Sequence, residues 1–438
     1  MITLYQKNRK KLVQALKDGL IIVPAPKETL RNGDVVYKFR QDSYFAYLTG
    51  IHKPEHVLVL DPKAGKTCLF IPDINEKHRL WLGKQLNCAQ AKKIYKTDFV
   101  YFTSALDAFV KKASQKYKKV YLLPNRKLPL KSLSKKLHQD KKTLIKVLDN
   151  LRLIKEPEEI NLMNQANKIS HNAFVTAIKA TRPGVFEYTI QGTFEAELVK
   201  AGAAHLAFST IIASGPNASV LHHVEQTRRC EKGDLLLIDG GCELDGYASD
   251  MTRTIPVSGR FSKKQKEIYE VVLNTKRECI RMISPKVTML DIHIHAAKTI
   301  LKGLIKLGLI KDADIDMLYE KEIHRVFFPH GIGHLLGLDV HDVGNKYNKK
   351  LKAKAKNLRA YLKLEPGMVV TIEPGIYFIE YFFDAPKKMR EYAKYVNWKK
   401  AAQYRSIGGI RIEDDILVTQ NGHKNLCTLP DGIKDIEK

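Results

Sequence analysis

At 438 residues the chain is too long for one ordinary hydrophobic core, so two or three domains are expected. Hydrophobic residues at 44% and charged residues at 28% fit a soluble globular protein, and the lack of any apolar run of about 18 residues excludes a helical membrane span. A net charge of +27 raises nucleic acid as a partner, to be weighed against where that charge lies.

The N-terminal MITLYQKNRKKLVQALKDG has no continuous apolar stretch and reads as an amphipathic helix rather than a signal peptide. Six cysteines (Cys68, Cys88, Cys230, Cys242, Cys279 and Cys427) form no CxxC pair, so reduced thiols and a cytoplasmic setting are expected. HVLVLDP, TCLFIPD and VYLLPN follow as strands between lysine-rich amphipathic segments. Residues 1–155 are therefore expected to form a small α/β domain. Residues 91–150 carry 16 Lys+Arg against 4 Asp, but the lysines alternate with apolar positions and no nucleic-acid motif accompanies them. Specific nucleic-acid binding is not expected.

Pro157 opens a helix with Glu158 and Glu159 in its first turn and with Ile160, Met163, Ala166, Ile169, Ala173 and Ala177 at helical spacing. This change of character places a domain boundary near residue 155, with 156–438 as the second domain. Helices are expected over 262–283 and 288–308. The second holds His293 and His295, which read as packing or surface residues.

Strand candidates in this half carry carboxylates inside apolar runs, which a purely structural strand avoids. In GDLLLIDGGCELDGYASDMTRTIPV, Asp245-Gly246 is a hairpin turn signal. Counting back from it sets Leu244 opposite Tyr247 and Asp239 opposite Thr252, with Asp250 the diagonal neighbour of Asp239 on the same face. Asp239 alone could simply end its strand. Two such acids side by side repel unless a cation or proton intervenes.

PHGIGHLLGLDVHDVG, residues 329–344, sets His330, His334 and His341 close together. His330 and His334 stand at i and i+4, which on a helix could grip zinc, but Gly331 and Gly333 make a helix costly. A lysine-rich loop at 346–356 follows. MVVTIEPGIYF then ends an apolar strand on Glu373, and in GGIRIEDDILVT Arg411 and Glu413 share a face by period two. Four acids from three strand regions and one histidine could converge. Four carboxylates carry −4, matching two divalent cations, and oxygen-rich ligation favours a hard ion such as manganese.

These residues resemble the five-ligand dinuclear site of the pita-bread metallopeptidases. The motifs stand here as IDGG, SDMTRT, HGIGHLLGLDVHDVG, TIEPGIYF and GGIRIEDD, and the likeness spans nearly the whole chain. NRKKLVQAL, YKFRQDSYFAYLTGI and CLFIPDINEKHRLWLGK are similar to the N-terminal domain shared by aminopeptidase P and prolidase. The resemblance implies an α/β fold: an N-terminal domain of that type followed by a pita-bread catalytic domain.

It further implies Asp239 on one metal, His334 and Glu373 on the other, and Asp250 and Glu413 bridging the pair around a hydroxide nucleophile. Glu373 would also help move the proton. His222, in SVLHH, and His341 are similar to histidines that contact substrate and stabilise the tetrahedral intermediate. Arg411 would order the network around the bridging acids, and His330 would be a pocket residue, while His223 has no assigned role.

The long segment YFIEYFFDAPKKMREYAKYVNWKKAAQYRSIGGIRIEDD and NLRAYLKLEPGMV resemble eukaryotic-type prolidases, with Arg359 at the position that holds a substrate's free carboxylate. Phe208 departs from that pattern, standing where prolidases can show a tyrosine. The expectation is a homodimeric, two-manganese Xaa-Pro dipeptidase acting on dipeptides or short peptides. The alternative is an aminopeptidase P that trims longer Xaa-Pro peptides, and a remoter one is a metal-free RNA- or ribosome-binding protein.

Overall fold

Short apolar runs, each closed by a turn, build the first of two compact units, Met1–Leu153 and Ile154–Lys438. The computed structural model describes residues 2–124, 138–344, 355–384, 392 and 394–437. Most of the lysine-rich loop 346–356 and part of the basic stretch 91–150 fall outside these residues.

In the first unit a six-stranded sheet runs in the order Phe99–Phe102, Lys66–Ile71, Val57–Asp61, Leu20–Pro24, Lys119–Leu122, His138–Asp140. The sheet is mixed: Leu20–Pro24 is antiparallel to Val57–Asp61 and parallel to Lys119–Leu122. Leu20–Pro24, a fully buried strand near the middle of the sheet, is one that the sequence patterns above pass over. Leu20, Ile22, Val59, Phe70, Val110 and Val120 form the core on one face. The helix Ile2–Ala15 accounts for the amphipathic N-terminus. Among the described lysines of 91–150, Lys92, Lys93, Lys111, Lys112 and Lys142 are all exposed, as a solvated face requires.

The second unit begins with the helix Pro157–Ala180, whose first turn is closed by reciprocal bonds between Glu156 and Glu159. Helices Lys263–Met282 and Met289–Lys306 start on similar boxes, Ser262 with Gln265 and Thr288 with Asp291. Between these helices lie short antiparallel pieces of sheet. Ile211–Ser214, Leu235–Gly240 and Met251–Pro256 form one; Val369–Ile372, Asp414–Thr419 and Gly422–Asn425 form another. Gly375–Tyr377 pairs with Gly409–Arg411. A bridge from Thr252 to Glu413 stitches the first sheet to the second, the Glu413 amide donating to the Thr252 carbonyl at 3.0 Å.

The hairpin register follows the count from its turn: Leu244 faces Tyr247 and Asp239 faces Thr252. Asp245 and Gly246 both take positive φ, 49° and 84°, as a two-residue turn of this kind demands. Among the described residues no helix is long and apolar enough to cross a membrane.

Candidate metal centre

The stretch 329–344 forms no α-helix. It runs as an irregular extended segment beside Val369–Ile372, with the Thr371 amide donating to the His334 carbonyl at 2.9 Å and the Glu373 amide to the Ile332 carbonyl at 2.8 Å. Gly333 permits this approach, because a Cβ there would lie 2.0 Å from the Thr371 carbonyl oxygen. The close backbone contact delivers His334 to the acids on the sheets.

All ten residues singled out in the sequence line one cavity of about 660 Å³ within the second unit. Asp250, His334 and Glu413 each offer a ligand atom within 4.8 Å of the others, and all three are buried. His334 Nε2 stands 3.4 Å from Asp250 Oδ2 and 3.8 Å from Glu373 Oε1. His334 Nδ1 lies 3.1 Å from the Leu335 carbonyl, which can only accept. Nδ1 therefore holds the proton and Nε2 keeps a free lone pair facing the acids.

Asp239 receives Arg411 Nη2 on Oδ2 at 2.6 Å, while its Oδ1 is buried and has no hydrogen-bond partner among the described residues. Glu413 Oε2 accepts from the Thr252 hydroxyl at 2.6 Å. Burial, reinforced by Asp239, Asp415 and Glu373, pushes the Asp250 carboxyl far above its ordinary range. Burial also raises Glu413, with Asp250 and Glu373 adding to it, and lifts Glu373 as well. Such a set is unstable as bare anions and calls for positive charge among the oxygens. An orphaned buried carboxylate oxygen, an imidazole with its lone pair turned inward and crowded acids together fit divalent cations.

Around these donors runs a directional relay. Arg411 Nη1 donates to the Tyr377 hydroxyl at 2.7 Å, and that hydroxyl stands 2.9 Å from His330 Nε2. His330 Nδ1 lies 2.8 Å from the Gly331 carbonyl and so donates to it, leaving Nε2 to accept from Tyr377. Burial holds His330 neutral, its pKa drawn down to about 3. His341 is also drawn to about 3 by burial, and its ring meets that of His334 edge to face at 4.5 Å. Its neighbour Asp342 is anchored by Lys155 at 2.9 Å, a fully buried pair. His222 and Arg359 are exposed at the cavity wall.

Tyr377 and Asp415 have no role in the sequence patterns above, and Thr252 figures there only as the residue opposite Asp239. Asp415 Oδ2 accepts from the Asp250 amide at 3.0 Å and from Asn167 Nδ2 at 2.8 Å, which fixes the backbone behind Asp250. Tyr377 follows Glu373 in TIEPGIYF at an alternating position, the one signal that it could share the site's face.

Residues 161–420 match metallopeptidase family M24, and residues 5–121 match the aminopeptidase P N-terminal domain. The chain belongs to metallopeptidase family M24. It is a metal-dependent hydrolase with an N-terminal domain of aminopeptidase P type followed by a pita-bread catalytic domain. A probable Xaa-Pro aminopeptidase of Aspergillus terreus is 34% identical over 432 residues, covering 96% of this chain and 92% of that protein. Aminopeptidase P from E. coli with the inhibitor Pro-Leu is 33% identical, with a TM-score of 0.88 over 100% of this chain and 97% of that one. The Pseudomonas aeruginosa aminopeptidase PepP is 32% identical, with a TM-score of 0.87 over the same shares.

These relatives favour the aminopeptidase alternative over the dipeptidase reading. The long segment between the two glutamates, one of two stretches behind the dipeptidase reading, is described only in part. Its described part forms the short helices Glu380–Asp384 and Trp398–Ala401 and a 3-10 turn, Ala402–Ile407; residues 385–391 and 393 lie outside the described ones. None of the described residues 378–408 lines the cavity.

Proposed function

We propose that the chain is an Xaa-Pro aminopeptidase, removing the first residue from peptides whose second residue is proline. The observation that carries this reading is the end-to-end likeness to aminopeptidase P, joined to the clustering of acids and His334 in one cavity. The catalytic domain is taken as 156–438 and the N-terminal domain as 1–155, a division supported by the compact units that part at Leu153.

Asp239, Asp250, His334, Glu373 and Glu413 are the ligands in this reading, and two Mn²⁺ ions suit a donor set of four carboxylates and one imidazole. Bound ions of this kind lower the pKa of a water and polarise a carbonyl, the two demands of amide hydrolysis. Glu373, half-buried at the cavity wall, takes the proton from the attacking water and passes it toward the proline nitrogen. That nitrogen belongs to a tertiary amide with no N–H, so recognition must use the carbonyl and the peptide's free amino end. His222 and His341 contact the substrate from two different segments of the wall, while Arg411 holds Asp239 and Tyr377 in place. The clamp on a terminal carboxylate, Arg359, belongs to the dipeptidase reading, because a longer peptide carries no carboxylate on its proline.

A cytoplasmic homodimer completes the proposal. It is supported by family resemblance and by six free cysteines, five of them buried, and sedimentation of the purified chain tests the dimer. The activity is tested by turnover of Gly-Pro and Gly-Pro-Leu after manganese loading. Cleavage of the tripeptide to glycine and Pro-Leu is expected; efficient turnover of the dipeptide alone would overturn the assignment.

A further inference from the structure

His222 sits on an unusual stretch of chain. Residues 221–225 lie between the 3-10 turn Gly215–Ser219 and the helix-docked Gln226, and Leu221, His222 and Val224 all line the cavity. Among the described residues these five make no backbone hydrogen bond, and four of them make no side-chain bond either. The exception is His223. It points the other way, is 8% exposed, and its Nε2 lies 3.2 Å from Glu187 Oε2. Nε2 also lies 3.3 Å from Asn217 Nδ2, but that amide turns its hydrogens to the Glu187 oxygens at 3.1 and 3.2 Å, and the carboxylate can only accept, so Nε2 donates to Glu187.

Glu187 is fully buried at the first turn of the helix Glu187–Lys200. The same carboxylate accepts from the Ser214 amide at 2.6 Å, the Ser214 hydroxyl at 2.8 Å, Asn217 Nδ2 at 3.1 Å and the Arg228 amide at 3.2 Å. One buried group thus ties the end of the strand Ile211–Ser214, the turn after it and the return of the loop. His223 is the link between that hub and the free stretch. His223 turns inward to this hub while His222 faces the cavity, whose wall it shares with His330 and His341.

We infer that His223 and Glu187 are positioning residues for His222: the buried bond from Nε2 to the Glu187 carboxylate fixes the cavity-lining stretch 221–225 and thereby the imidazole that meets the substrate. The inference rests on the substrate-facing role proposed for His222. A His-Glu pair buried in this way costs more to break than an exposed one, because both partners are held away from bulk water.

The test uses the manganese-loaded full chain and the variants His223→Ala and His223→Gln, each also in a His222→Ala background. Hydrogen exchange at the bonded amides that flank the stretch, Val220 (to the Asn217 carbonyl) and Tyr188 (to the Gln226 carbonyl), should rise about ten-fold or more in His223→Ala, with the strands Leu235–Gly240 and Val369–Ile372 unchanged. On Gly-Pro-Leu, kcat/KM should fall about ten-fold with metal content intact, and His223→Gln, which keeps a donor at similar reach, should recover to within about three-fold. In the His222→Ala background the same change should cost less than about two-fold. Unchanged exchange, or an equal loss in both backgrounds, overturns the inference. Should His223→Ala prove too unstable to purify, His223→Asn, which is too short to reach Glu187, is read in the same way. A parent chain that leaves the tripeptide intact would refute the activity, while the exchange result still decides the tether.

Discussion

Arg411 and Asp239 are joined at 2.6 Å, Nη2 to Oδ2, and the second arm of the same guanidinium reaches the Tyr377 hydroxyl at 2.7 Å. One rigid fork therefore sets the direction in which Asp239 presents its free oxygen and the angle at which Tyr377 meets His330. An ammonium has no such fork. Arg411→Lys should lower manganese affinity by about 10- to 100-fold, the range for losing a group that orients a ligand. Metal titration by calorimetry reads this directly. A variant that binds manganese as tightly as the parent would show that Asp239 needs no such hold.

Asp250 is the most crowded acid of the set, 3.4 Å from His334 and backed by Asp415 through its own amide. Asp250→Asn keeps the shape and the amide bond but withdraws one negative charge from the cluster. Loss of turnover by at least about a thousand-fold and a lower metal content per chain are expected, with the thermal midpoint of the metal-stripped protein unchanged or raised because a buried charge is gone. Full metal content in the variant would remove Asp250 from the ligand set.

The sequence revealed these residues unevenly, for physical reasons. Asp239 and Asp250 were legible as neighbours because a two-residue turn fixes hairpin register by counting, and Arg411 and Glu413 because strand alternation has a period of two. The two pairs could therefore be read as patterns along the chain, whereas the fold and the proposed five-residue ligand set came from the family resemblance. Tyr377 meets Arg411 across 34 residues, Glu187 meets His223 across 36 and Lys155 meets Asp342 across 187. No local period relates such pairs, so only the folded chain shows them. The substrate preference was less legible, for another reason. The proposed metal ligands are those the resemblance gives to dipeptidase and aminopeptidase alike, and of the two stretches that pointed to a dipeptidase the long segment does not reach the cavity among its described residues, while Arg359 lines it.

Gly333 has space for a hydrogen and nothing larger, with the Thr371 carbonyl where a methyl would go. Gly333→Ala must push the segment carrying His334 off the strand Val369–Ile372. Overpacking of this kind costs roughly 1–3 kcal/mol, and a shift of about 1 Å at His334 should cost about 100-fold in kcat. Urea unfolding and turnover of the manganese-loaded variant measure both. A variant with parental stability and activity would mean that the backbone contact can relax without moving the ligand.

Two buried histidines away from the acids make stability sensitive to pH. His293 and His324, each 4% exposed, lack a partner for Nδ1 among the described residues, and burial draws them from an ordinary 6.5 to about 3 and about 4. Each stays neutral in the fold over a range where the unfolded chain takes up a proton. Their contribution to stability is complete above pH 6.5 and is lost as the pH falls toward 4, by up to about 1.4 kcal/mol per pH unit for each histidine. Urea unfolding at pH 7, 6 and 5 should show a steep decline in the parent. In His293→Leu the decline should be shallower by about one histidine's share, whatever the starting stability of the variant. Parallel curves for parent and variant would mean that His293 takes up its proton as readily in the fold as in the unfolded chain.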